Sequence, residues 1–317
     1  MQDCPICKRT VLKSTEVAVT LSSILRRWEE VLHKPLPAAV WANYGPLKDQ
    51  SICLFECAEC GFGRFEPLAA GTAKFYEAIS PVDYYNADKW EFVCAAADLK
   101  AAGAVRILDV GCGSGFFLDY LKESIPCAEL FGFELNGELL GQVASRGFGV
   151  LANAAEKTQF DAIVMLQVLE HASDPVAFLQ TFLRLLRPGG LLILTTPNAA
   201  GPIQRFPDAL TELPPHHLTR WTEKSFRALL PAYGIRIRCV RFEPLPDYLW
   251  DSYLPKLWDE PIWPAKVFDP IARRRGLVTV HDRSGMAAMA MKRAGIRWLY
   301  GVPGHTIYVT GCSKGSR

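Results

Sequence analysis

The sequence predicts an α/β fold: a doubly wound, mainly parallel sheet with a small metal-binding module at its N-terminus. Three observations carry that expectation. The stretch "RILDVGCGSGFFLDYL" (106–121) sets Gly111, Gly113 and Gly115 between an apolar run of strand length and residues that form helix. From Val105 onward, apolar strand-like runs alternate with helical stretches, the pattern of a parallel sheet that binds ligands at the carboxyl ends of its strands. Ahead of both stand two C-x-x-C pairs, Cys4 with Cys7 and Cys57 with Cys60.

Taken in order, residues 1–72 read as a ribbon-like module. A C-x-x-C knuckle lets two sulfurs point at one ion, and a second pair closes a tetrahedron with bonds of about 2.3 Å, so the four cysteines read as a structural Zn2+ site. Gly61 stands where the second knuckle turn needs a residue tolerant of positive φ. The spacer between the pairs is longer than that of an ordinary ribbon, and a helix around 22–32 is expected to fill it. An aromatic-rich linker then leads into a helix that ends at Gly103.

The glycine turn that follows closes half of a nucleotide-binding βαβ unit, in Rossmann-like fashion. Its spacing is G-x-G-x-G rather than the G-x-G-x-x-G of dinucleotide sites, and the acid Asp109 stands two residues before the first glycine. A carboxylate there suits a cation better than a phosphate. The next strand ends in Glu134, where a carboxylate can accept both hydroxyls of a ribose. A ligand with a ribose and a positive charge but no phosphate fits S-adenosylmethionine. Beyond the sheet's fifth strand, "YGIRIRCVRF" (233–242) alternates at period two and "GHTIYVTGCSK" (304–314) is a final strand, with a tryptophan- and proline-rich segment between them.

Composition limits the partners. Half of the 317 residues are apolar, enough for a substantial core, and the net charge of +2 advertises no polyanion. The cluster "ARRRG" (272–276) reads as a solvated face. No apolar run reaches the roughly 18 residues of a membrane helix, and the N-terminus has no signal-peptide pattern. A cytoplasmic protein with reduced cysteines is expected.

Five segments occur in order and at domain-like spacing: "ILDVGCGSGFFL", Glu134, "FDAIVMLQVLEHASDP" (160–175), "LLRPGGLLILTTPN" (185–198) and "PPHHLTRWT" (214–222). They resemble the class I S-adenosylmethionine-dependent methyltransferases, in particular the group whose fourth strand ends in Leu-Glu-His. The resemblance implies a seven-stranded sheet ending in an antiparallel pair. It implies a methyltransferase core at 73–245, an insertion at 246–303 that serves as a lid or subunit contact, and a last core strand at 304–317. Asp109, Gly111, Gly113, Gly115 and Gln167 would hold the methionine part of the cofactor, Glu134 the ribose, and Asn153 with Ala154 the adenine edge.

The chemistry is then methyl transfer by in-line displacement at a sulfonium, where positioning supplies most of the acceleration. A base is needed only if the acceptor loses a proton. His217, with His216 and His171 beside it, is the candidate, since an imidazole of pKa about 6.5 suits neutral pH. The competing expectation is that the tandem pair caps a helix beginning near Thr222. The region also resembles zinc-containing sugar C-methyltransferases, but the acid that precedes the histidine there is His216 here, and the chain leaves no room for their further C-terminal domain. The expected acceptor is a small polar molecule, a sugar or nucleotide-sugar, and not a nucleic acid. A zinc-ribbon ribosomal RNA methyltransferase is the alternative, although residues 1–70 lack a basic face. A non-catalytic cofactor-binding relic is the second.

Overall fold

The computed structural model describes residues 3–9, 13–79, 89–152 and 158–314. Its first part runs β1 (Lys13–Thr20), α1 (Leu21–Leu32), α2 (Ala38–Asn43), β2 (Ser51–Glu56), β3 (Gly63–Glu66) and α3 (Ala73–Ile79). The helix α1 starts where the Thr20 side chain accepts the Ser23 amide, and it buries Leu21, Ile24, Leu25 and Trp28. That is the i, i+3, i+4, i+7 spacing of one helical face. It stops at His33, which adopts a left-handed conformation. The spacer between the cysteine pairs is thus filled by β1, α1, α2 and β2.

The second part runs α4 (Trp90–Ala101), β4 (Arg106–Val110), α5 (Phe116–Ser124), β5 (Glu129–Phe133), α6 (Gly137–Ser145), β6 (Gly149–Val150), β7 (Phe160–Leu166), α7 (Pro175–Leu183), β8 (Leu186–Pro197), β9 (Thr219–Arg220), α8 (Glu223–Ala232), β10 (Ile235–Pro246), α9 (Trp250–Leu257), α10 (Trp263–Arg274), α11 (Val280–Arg293) and β11 (Trp298–Ser313). Seven strands form one sheet in the order β10-β11-β8-β7-β4-β5-β6. Pairing is parallel from β8 through β6 and antiparallel where β11 meets β8 and β10. This is the seven-stranded Rossmann-like sheet of the methyltransferase fold. The chain enters at β4, steps out to β6 and returns on the other side at β7, so the strand order reverses beside β4, where such sheets bind ligands.

Alternate residues of the same strands feed two cores. Leu108, Val110, Ile163, Met165, Leu192 and Leu194 pack with α7 and α8, whereas Ile107, Ala162, Val164, Leu191 and Ile193 pack with α4, α5 and Val143 of α6. Period-two side-chain direction sends each set to its own face, and helices on both faces explain the unbroken apolar runs. A third core joins α1, β2, β3 and α3, and a fourth joins α9, α10 and α11.

A second sheet of four antiparallel strands runs β1-β2-β3-β9. Its last strand comes from the second half of the chain, two residues after His217. The cysteine knuckles are joined to the same half. Thr222 donates its hydroxyl to the Cys60 carbonyl at 2.7 Å, and Cys4, Ile6, Cys57, Cys60 and Phe62 belong to the core formed by α7 and α8. Thr222 itself caps α8, with Ser225 completing a reciprocal capping box. The tandem histidines are therefore not the cap of this helix.

The final pair runs beyond the stretches that alternate in the sequence, with Pro246 of β10 still opposite Trp298 of β11. Pro244 and Pro246 are tolerated because β10 is the edge of the sheet and needs no outward N–H partner. Helices α9–α11 sit at the tip of this extended ribbon. Among the described residues, no helix is long and apolar enough to cross a membrane.

Candidate active site

The glycine turn leaves β4 with all three glycines in the left-handed region, Gly111 at φ 74, Gly113 at φ 52 and Gly115 at φ 84. A Cβ on Gly111 would stand 2.6 Å from Cγ2 of Val168, so the turn and the segment leaving β7 approach too closely for a side chain. The Gly111 and Cys112 amides donate to the Phe133 carbonyl at 2.7 and 3.1 Å, which ties the turn to the end of β5. Gly111→Ala is expected to cost about 1–3 kcal/mol for the backbone strain alone. Thermal unfolding should show it as a lowered Tm, and an unchanged Tm would contradict the close approach.

Two carboxyls meet beside this turn. Glu134 accepts the Gly113 amide at 3.1 Å on one oxygen and the Asn136 amide at 3.0 Å on the other. Asp109 is buried, and burial first, the Glu134 charge second, pushes its carboxyl up to about 8. Nearby, Gln167 follows the end of β7 at φ 58, a conformation a non-glycine residue adopts under constraint. Its amide donates to the Thr195 carbonyl and hydroxyl, both at 3.1 Å, and its side chain reaches the Thr306 hydroxyl at 3.4 Å. Asn153 and Ala154 lie outside the described residues.

The histidines assemble one strand over. His171 ends a 3-10 turn after β7, and His216 and His217 follow a second such turn at Leu210–Glu212. The three rings lie 4.4–4.8 Å apart between centroids. His171 Nδ1 donates to the His216 carbonyl at 2.7 Å and His216 Nδ1 to the Thr211 carbonyl at 2.8 Å. His217 Nδ1 donates to Glu212 Oε2 at 3.2 Å. One ligand atom from each of the three lies within 4.8 Å of the others, close enough to share a cation. Burial, then the His217 charge, lowers the His171 imidazole to about 3; burial with its two histidine neighbours lowers His216 in the same direction. Tyr76 and Trp28, from the N-terminal part, pack on this group: the tyrosine hydroxyl donates to the His216 carbonyl at 3.2 Å and the indole lies 5.9 Å from the His216 ring.

Sequence reasoning did not find Glu212, His305 or Glu170. The fully buried Glu212 joins His217 to His305, whose Nε2 donates to Glu212 Oε1 at 3.1 Å. Burial opposes ionisation of Glu212, but His217 and His305 outweigh it and hold the carboxyl well below its ordinary value. For His305, burial is likewise outweighed by the Glu212 bond, which raises the imidazole above its ordinary value. Tyr253 of α9 lies 3.1 Å from the other nitrogen of His305. The carboxylate beside the histidine pair thus comes from five residues before His217, a spacing that carries no motif. Glu170 is fully buried, neither carboxyl oxygen has a hydrogen-bond partner among the described residues, and burial raises its carboxyl well above the usual range.

The four cysteines stand apart from both groups. Sulfurs of Cys4 and Cys60 lie 3.6 Å apart, as do those of Cys7 and Cys57, and all four fall within 4.8 Å of one another. Four sulfurs each about 2.3 Å from a tetrahedral ion stand about 3.8 Å from each other, so the cluster is compatible with zinc.

A family model described as "Methyltransferase domain" matches residues 63–240. A ubiquinone biosynthesis O-methyltransferase of Xanthomonas oryzae pv. oryzae is 37% identical over 144 residues, covering 41% of this chain and 55% of that protein. One from Cereibacter sphaeroides is 29% identical over 157 residues, covering 43% and 62%. The chain spans about half the length of the curated relatives it matches. Among solved structures, the plantazolicin methyltransferase BpumL in complex with SAH is 12% identical with a TM-score of 0.47, covering 92% of this chain and 99% of that one. A SAM-dependent methyltransferase from Archaeoglobus fulgidus is 17% identical with a TM-score of 0.44, covering 70% and 94%. The strand order of the chain and the extent of the family match, more than half its length, lead to one conclusion: the chain belongs to the methyltransferase-domain family.

Proposed function

We propose that this chain is an S-adenosylmethionine-dependent methyltransferase acting on a hydroxyl of a small polar acceptor, a sugar or a related biosynthetic intermediate, in the cytoplasm, where its ten unbridged cysteines stay reduced. The observation that carries this is the contact of Gly111 with Val168, which sets a cofactor-type loop against the segment that leads into His171 and the histidine group. The O-methyltransferase names of the relatives support oxygen as the accepting atom. We also propose that Cys4, Cys7, Cys57 and Cys60 hold a structural zinc ion as thiolates.

The site fits the cofactor because the buried Asp109 carboxyl and the half-buried Glu134 carboxyl stand beside the glycine turn, and among the described residues neither has a cationic hydrogen-bond partner. Bound there, S-adenosylmethionine supplies a methyl group on a sulfonium, open to in-line displacement. Asp109 and the three glycines take the methionine part with Gln167, Glu134 the ribose hydroxyls, and Asn153 with Ala154 the adenine. His217 commits its Nδ1–H to Glu212, which leaves Nε2 to take the acceptor proton, and the carboxylate stabilises the imidazolium that results. Its other oxygen is fixed by His305, so Glu212 is a positioning residue. His216 and His171, kept neutral by burial, orient the acceptor.

Incubation with methyl-labelled cofactor and fractionated cell extract tests the acceptor class. Label should enter small-molecule fractions; label in RNA would overturn the proposal, and absence of cofactor-binding heat in calorimetry would overturn the enzymatic reading itself. A pH dependence follows from Asp109. Its folded value of about 8 lies above the ordinary 3.8, so without cofactor the carboxyl is protonated below about pH 8, and that contribution to stability is lost as pH rises through 8. A cationic ligand needs the ionised form. Cofactor affinity is therefore expected to rise with pH up to about 8 and then level, with proton uptake by buffer on binding. Asp109→Asn should bind weakly and without that slope, and a slope retained in this variant would assign it to another group.

A further inference from the structure

Helix α10 turns an apolar stripe outward. Trp263, Val267 and Ile271 recur every fourth residue and are 36%, 51% and 43% exposed, with exposed Pro270 among them. At about 100° per residue these side chains fall in one sector about 100° wide. The inward side carries Ala265 and Phe268, which belong to the core shared with α9 and α11. Lys266 and Arg273 border the stripe on one side and Arg275 on the other, while Arg274 continues it at the C-terminal end; all four are exposed. The one acid of the helix, Asp269, faces the packed side. There it binds Arg273 at 2.6 Å, Arg283 at 2.7 Å and the Trp258 indole at 2.9 Å. Among the described residues, Lys266, Arg274 and Arg275 have no acidic partner. The outward face thus combines apolar side chains with cations and presents no anion.

A merely solvated helix has no use for Trp263, Val267 and Ile271 on its outer face. A second copy of the chain docked face to face would set three unpaired cations, Lys266, Arg274 and Arg275, against three, which works against a twofold contact. An anionic lipid surface satisfies both halves of the pattern at once: apolar side chains enter the headgroup boundary and flanking lysine and arginine meet lipid phosphates. We propose that α10 docks this protein, as a peripheral protein, on an anionic phospholipid surface, with Trp263, Val267 and Ile271 inserted and Lys266, Arg273, Arg274 and Arg275 at the headgroups. The docking helix needs no unfolding, because α9–α11 keep their own core behind it. The same module supplies Tyr253 to His305, so the docked helix is joined to the histidine group through α9.

Co-sedimentation of the full chain with vesicles tests this without reference to catalysis. The protein should pellet with vesicles of mixed phosphatidylcholine and phosphatidylglycerol at low salt, and remain in the supernatant with phosphatidylcholine alone. Val267→Asp combined with Ile271→Asp alters exposed positions only, so the variant should fold normally and bind about tenfold more weakly or worse. Arg274→Glu with Arg275→Glu should do the same and remove the salt dependence. Failure of the unmodified protein to bind the anionic vesicles at low salt would overturn the proposal, as would full binding by the Val267→Asp/Ile271→Asp variant. Light scattering that finds a dimer converted to monomer by these changes, with no vesicle binding, would reassign the face to self-association.

Discussion

His217→Ala is expected to bind S-adenosylmethionine with normal affinity and to lose methyl transfer by about 10²–10⁴-fold, the range for removal of a positioned general base. The expectation rests on geometry that alanine erases: a buried ring whose Nδ1–H is spoken for by Glu212, so that only Nε2 is left to receive a proton. Glu212→Gln should act in the same direction and less severely. It keeps the shape of the network but removes the negative charge that favours the imidazolium, and cofactor affinity should again be unchanged. Steady-state kinetics with calorimetry separates the two effects. If His216→Ala is the inactive variant and His217→Ala keeps its rate, the role moves one residue along the loop. If both keep their rates, the acceptor needs no base from this loop and an amine becomes the better acceptor.

Changing Cys4 and Cys57 together to serine should abolish zinc binding and collapse the order of the N-terminal sheet. Elemental analysis is expected to find about one zinc per chain in the unmodified protein and none in the variant. One ligand is removed from each close sulfur pair, Cys4 with Cys60 and Cys7 with Cys57, so neither half of the tetrahedron survives. Structural zinc contributes an apparent 10–16 kcal/mol in small zinc domains, about as much as the whole stability of a typical domain, roughly 5–15 kcal/mol. The damage should also reach the histidines. Thr222 hangs from the Cys60 carbonyl, and Phe62 packs edge-on against Trp221 at 5.1 Å. Hydrogen exchange should therefore quicken both in β2 and β3 and across residues 218–222. Zinc retained at full occupancy in the double variant would refute the assignment.

What the sequence made legible was local. The glycine turn, Asp109 and Glu134 lie within one βαβ stretch, and each C-x-x-C pair spans four residues, so spacing alone predicts which of these residues come together. What it hid was long-range or short. The strand β9 is two residues long and has no periodicity to read, yet it decides that the cysteine sheet and the histidine loop are one unit. Glu212 and His305 meet only because a loop and the last strand fold onto each other. The cap of α8 is readable in "TEKS", which offers Thr222 and Ser225 at capping distance, so the competing expectation that the histidines cap this helix meets a better candidate in Thr222 itself. The prolines that suggest an end to β10 near Phe242 are compatible with a strand after all, because an edge strand lacks an outward neighbour.

The pairing of β3 with β9 also bears on synthesis. A ribosome delivers β1, β2 and β3 long before Thr219 and Arg220, so for much of translation the inner edge of β3 presents unpaired amide and carbonyl groups. The cysteine pairs are complete early, whereas the strand and the Thr222 hydroxyl that lock their knuckle arrive only after five strands of the main sheet have been made. Metal captured by the nascent chain would therefore sit in a half-built cradle. Completion of the N-terminal sheet therefore waits for the emergence of the histidine loop, so that the finished four-cysteine module and the finished histidine loop appear in the same folding event.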